Sequence, residues 1–160
     1  MLRYEQLGSV YKTGDRMKYL VNRYYTDLNN FKNWKTKSFY QFVCLLPYLA
    51  DFNGKETVQR PKYSLNKNAV CRDCDDKMIL FGGFLKMKNY SYVNPVLFRF
   101  CAVSTKPFKN VHHVVIQILR YINGKLTPGK FIDPTYPTNF PNLFRSKKYY
   151  IVKPISGIIK

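Results

Sequence analysis

Cys71-Arg72-Asp73-Cys74-Asp75-Asp76-Lys77-Met78-Ile79-Leu80-Phe81-Gly82-Gly83-Phe84-Leu85 changes character at Met78. Before it, thiols alternate with charged residues. After it, only apolar residues and two glycines follow. A helix over Cys74 to Leu85 is apolar nearly all round, and such a helix belongs inside a domain. Gly82 and Gly83 cost helix propensity but permit close packing against a sheet. Asp73, Asp75 and Asp76 suit the start of that helix through capping and the dipole.

Upstream, the apolar residues Met17, Leu20, Val21, Tyr24, Tyr25 and Leu28 recur at helical spacing, which predicts a helix over Gly14 to Asn30. A second is predicted over Thr36 to Asn53, with Phe39, Phe42, Val43 and Leu46 on one face and a kink or division at Pro47. Phe52-Asn53-Gly54-Lys55 reads as a turn, and Glu56 to Asn68 as a loop. Downstream, Val96 to Ser104, His113 to Ile122, Lys130 to Asp133 and Lys148 to Lys153 read as strands. Asn123-Gly124 is a hairpin signal between the second and third. The fold class is α+β: N-terminal helices and a buried central helix on an antiparallel sheet, in one domain over residues 1–160.

Composition bounds the function. Lys and Arg number 27 against 9 Asp and Glu, a net charge of +18 at pH 7. Such a field attracts nucleic acid, anionic polymers or acidic surfaces without a specific site. The basic residues form no dense arm, and a solubilising surface explains them equally. No helix-turn-helix, RNA-recognition or zinc-finger signature accompanies the charge. No stretch approaches the roughly 18 consecutive apolar residues of a membrane span. Met1-Leu2-Arg3-Tyr4-Glu5-Gln6 lacks the apolar segment of a signal peptide. The expectation is therefore a cytoplasmic chain with free thiols at Cys44, Cys71, Cys74 and Cys101.

Cys74 opens the buried helix, where unpaired backbone N–H groups and the positive dipole end favour a thiolate and can face an oxyanion. The three aspartates oppose the thiolate by repulsion, so a compensating cation is required. His113, at a strand edge, can take the thiol proton and return it to a leaving group. Asp133, ending the next strand, can fix the imidazole tautomer. Cys71 is a second candidate nucleophile. The Cys74 register is preferred because it places sulfur directly before the apolar run. His112 and His113 point to opposite faces if both lie on the strand, and that geometry also disfavours a zinc site from Cys71, Cys74 and the two histidines. No metal and no cofactor are expected.

As an ordered set, Asp73-Cys74-Asp75-Asp76-Lys77, His113-Val114-Val115-Ile116 and Ile132-Asp133-Pro134-Thr135 resemble transglutaminase-like cysteine enzymes of the papain-like superfamily, in their bacterial and phage form. The separations, 113 − 74 = 39 and 133 − 113 = 20 residues, fit that order. Tyr48-Leu49-Ala50-Asp51 and Val58-Gln59-Arg60-Pro61 resemble the segment preceding the cysteine, so the likeness spans about Phe42 to Thr135. Arg72 replaces a frequent Gly, and Val115 a frequent aromatic residue. Trp34 is the only tryptophan and lies far upstream of Cys74; papain-like enzymes place a Gln ahead of the cysteine as oxyanion donor, and the resemblance makes Gln59 that candidate. The resemblance implies a transglutaminase/papain-like core, a Cys74–His113–Asp133 triad and thiol-dependent acyl transfer on a protein or peptide amide, with water or an amine as acceptor. The competing expectation is a non-catalytic basic structural protein, such as a virion component contacting nucleic acid or an acidic partner.

Overall fold

A computed structural model describes residues 9–51, 57–69, 71–90, 94–107, 110–135 and 149–160. Helix α1 spans Val10–Tyr24 and continues as a 3-10 helix over Tyr25–Phe31. It begins earlier than the apolar spacing implies, because the Ser9 side chain caps it by accepting from the Lys12 N–H. Helix α2, Thr36–Leu45, stops well short of Asn53. Leu46 is already extended, at φ −60° and ψ 133°, because the ring of Pro47 disfavours helical geometry in the residue before it. The expected loop contains one helical turn, α3, Pro61–Ser64, with proline at its start. The turn expected at Phe52 to Lys55 lies outside the described residues.

Helix α4, Cys74–Asn89, starts where the sequence places it. It runs four residues past Leu85, with Lys86 and Lys88 in its last turn, where cations suit the dipole. Strands β1 (Leu97–Ser104), β2 (His113–Ile122), β3 (Lys125–Ile132) and β4 (Ile151–Pro154) form an antiparallel sheet in the order β3-β2-β1-β4. The hairpin turn is at Asn123 (φ 50°) and Gly124 (φ 74°), the paired left-handed conformations that two-residue hairpins require. Strand β3 begins five residues before Lys130. Pro128 and Gly129 hide it in the sequence, but β3 is an edge strand, where proline is tolerated. Of the expected strand Lys148 to Lys153, the described part pairs from Ile151, and Lys148 lies outside the described residues.

One face of the sheet, with Phe98, Phe100, Ala102, Val114, Ile116 and Ile118, shares a core with α4, α2 and α1. A Cβ on Gly82 would stand 3.1 and 3.2 Å from the Phe100 and Phe98 rings, so glycine lets α4 lie close on β1. The opposite face holds a smaller cluster of Cys101, Val103 and Val115, against which Phe131 and Tyr149 pack. No helix among the described residues is long and apolar enough to cross a membrane.

Candidate functional site

His113 begins β2 and Asp133 directly follows β3. The antiparallel register pairs Ile116 with Ile132, which carries Asp133 back beside the start of β2. The His113 Nε2–H donates to Asp133 Oδ2 at 2.9 Å, and both side chains are 5 % exposed. A carboxylate only accepts, so the neutral imidazole holds its lone pair on Nδ1. Asp133 Oδ1 accepts from the Thr135 N–H at 3.1 Å, and its backbone carbonyl from the Tyr40 hydroxyl at 3.2 Å. Burial pushes this carboxyl up, but the His113 and Thr135 hydrogen bonds outweigh it and hold it below the usual range.

Cys74 is the first residue of α4, and Asp73 caps the helix by accepting from the Asp76 N–H at 3.4 Å. Cys74 is partly buried and packs against the core that includes Val114 and Ile132, the chain neighbours of His113 and Asp133. Strand alternation puts His113 in the row of Val115, opposite the row that meets α4, and at the terminal position of that row. The other three cysteines are unpaired and buried. Burial, with the charge of Asp76 second, pushes the Cys71 thiol up to about 12, and burial pushes Cys44 and Cys101 to about 11. Cys71 also receives the Thr57 hydroxyl at 3.6 Å.

Gln59 is buried, and its amide nitrogen donates to the Cys71 carbonyl at 2.5 Å and to Asp76 Oδ2 at 3.2 Å. Its backbone N–H donates to Asp76 Oδ1 at 3.0 Å. Both amide hydrogens are engaged, so Gln59 brackets the segment before α4 and would have to release a partner to serve an oxyanion. Trp34 packs edge-on against Phe31, Phe39 and Phe42. The exposed His112 donates from Nδ1 to the Asn110 carbonyl at 3.1 Å and accepts at Nε2 from the Thr105 hydroxyl at 2.9 Å. Both of its ring nitrogens therefore have local partners outside the Cys71–Cys74 segment.

Arg72, standing where a glycine was the common alternative, is buried and donates to three carbonyls, Ser64 at 2.7 Å, Pro47 at 3.1 Å and Asn66 at 2.9 Å. Its backbone bridges to Leu49. Lys77 is wholly buried, and its Nζ donates to the Thr135 carbonyl at 2.8 Å and the Cys44 carbonyl at 3.3 Å. Burial lowers this amine to about 8. Lys77 thus ties the cysteine helix to the segment carrying Asp133. Sequence reasoning assigned it no role, although a lone cation entering an otherwise apolar helix was the available signal.

Fold and site together define a basic α+β domain with a sealed His–Asp pair and a partly exposed thiol at a helix mouth. Comparison with protein-family models, curated proteins and solved structures returned no match.

Proposed function

We propose that the chain is a thiol-dependent acyl-transfer enzyme with a transglutaminase/papain-like core, acting on a protein or peptide amide through Cys74, His113 and Asp133. The observation that carries the reading is the buried His113–Asp133 hydrogen bond. A sealed pair of this kind fixes one tautomer and stabilises an imidazolium, which is what a thiol nucleophile needs from its base. Among the four thiols, only Cys74 is partly open to solvent and at a helix start. In the reaction, Nδ1 of His113 takes the thiol proton and sulfur bonds to the amide carbon. Backbone N–H groups of the first turn of α4 face the oxyanion. The carbon–nitrogen bond then breaks as the imidazolium protonates the leaving amine, and water or a second amine resolves the thioester.

The reading requires the His113 ring, at the end of its strand, to reach the mouth of α4. Iodoacetamide labelling followed by mass analysis tests this near neutral pH. Cys74 is expected to react faster than Cys44, Cys71 and Cys101, and His113→Ala to slow it on the order of tenfold by raising the thiol pKa. Labelling of Cys74 no faster than of buried Cys44 sinks the proposal. So does an unchanged rate in a folded His113→Ala variant.

A further inference from the structure

The chain has nine acidic residues, and three of them, Asp73, Asp75 and Asp76, fall within four positions at the nucleophile. Asp76 is satisfied by Gln59. Asp75 is not. It is 1 % exposed, and neither carboxylate oxygen has a hydrogen-bond partner. A buried carboxylate left this way is costly unless it takes up a proton or a cation meets it. The two cations nearest in sequence are committed elsewhere. The Arg72 guanidinium is held by three carbonyls and the Lys77 ammonium by two. Among the described residues, no ion pair joins either one to this group. A cation from solvent could fill that role.

One Asp73 oxygen, one Asp75 oxygen and the Cys74 sulfur all lie within 4.8 Å of one another. We propose that these three side chains form a site for a borderline-soft divalent cation such as Zn²⁺, and that its occupancy silences the thiol. Zinc bound at the usual sulfur and oxygen distances holds its ligand atoms about 3.5 Å apart, so small side-chain rotations close the set. One thiolate with two carboxylates suits zinc better than magnesium or calcium, which take all-oxygen shells. Water can complete the shell from the open side of Cys74. On binding, the thiol proton and any carboxyl proton leave to solvent and a sulfur lone pair becomes the metal–sulfur bond. The sulfur is then no longer available to a carbonyl. Only this silencing rests on the acyl-transfer reading; the binding does not.

The test uses the full chain freed of metal with a chelator. Zn²⁺ is titrated by calorimetry, with Mg²⁺ as a second arm, and iodoacetamide labelling of Cys74 is followed with and without Zn²⁺. One Zn²⁺ per chain, protection of Cys74 and no comparable Mg²⁺ binding are expected. Cys74→Ser, Asp75→Asn and Asp73→Asn should each weaken Zn²⁺ on the order of tenfold or more. Asn can still cap α4, so Asp73→Asn reads the site even where Asp75→Asn fails to fold. Unchanged affinity in the folded aspartate variants, or Zn²⁺ binding that leaves Cys74 labelling unaltered, overturns the site. A Cys74 that is sluggish without metal overturns the catalytic reading instead, while the titration still decides the site.

Discussion

Two stretches at the start and middle of α4 are buried by opposite means, with Cys74 left partly open in the first of them. From Met78 to Leu85 the helix is sealed by hydrocarbon. Phe84 stacks on Phe39 with ring centroids 4.2 Å apart and planes 8° from parallel, and Gly82 admits the Phe98 and Phe100 rings. From Asp73 to Lys77 it is sealed by polar atoms, nearly all with named partners: Asp76 with Gln59, Lys77 with Thr135 and Cys44, Asp73 with the helix backbone. Asp75 stands out as the exception. Apolar burial stabilises without direction, whereas polar burial is tolerated only where partners are placed. The comparison therefore separates where α4 contributes stability from where it presents chemistry.

The largest effect expected is at the apolar end. Phe84→Ala should destabilise the domain by about 3–5 kcal/mol, through lost transfer energy and a cavity against Phe39 and Phe81. Thermal unfolding should show a midpoint lower by roughly 10 °C. Below that midpoint the labelling preference for Cys74 should persist. A folded variant that lost the preference would break the division between the two ends.

The apolar half was legible because periodicity and composition act locally. Met78 to Leu85 reads as an interior helix, and Asn123-Gly124 reads as the hairpin it forms. Edges were legible only where punctuation agreed with topology. Pro47 divides the expected helical segment rather than kinking it, because helical geometry is disfavoured for Leu46 before it. Pro128 does not end β3, because an edge strand spares the missing N–H, and edge position is set by pairing with β2 far away in the fold. At the site, order and spacing placed His113 and Asp133 on neighbouring strands, and the register joins them. The roles of Arg72, Gln59 and Lys77 were not legible, since each is fixed by carbonyls or carboxylates from other segments. A residue type announces that it can donate, not to whom.

A middle-sized effect tests the polar end through Asp133, whose segment Lys77 tethers. Its carboxyl is held below the usual range in the folded chain, so the unfolded state binds its proton first as pH falls. The stability it contributes is present above pH about 4 and is lost as pH drops through the lower folded value. Asp133→Asn should cost about 1–2 kcal/mol at neutral pH, the difference between a charged and a neutral hydrogen bond to His113. That gap from the unsubstituted chain should shrink to nothing on acidification. Asp27, held low by Arg60 with the same sign, is common to both chains and cancels. Melting midpoints from neutral pH down to about pH 2 provide the comparison. A gap that stayed constant with pH would mean the pair is held by shape rather than charge.

The smallest effect separates capping from charge at Asp73. Its side chain accepts from the Asp76 N–H, one of the donors a helix start leaves unmet. Asp73→Ala should cost about 1 kcal/mol and Asp73→Asn only a few tenths, because Asn caps nearly as well. The two substitutions remove the same negative charge beside Asp75 and Cys74. If stability tracks the cap, Asn and Ala differ. If relief of repulsion inside the acidic group dominates, both raise the melting midpoint together. The second result would show that the polar end of α4 is strained by its own charges, and would leave the apolar end to hold the helix in place.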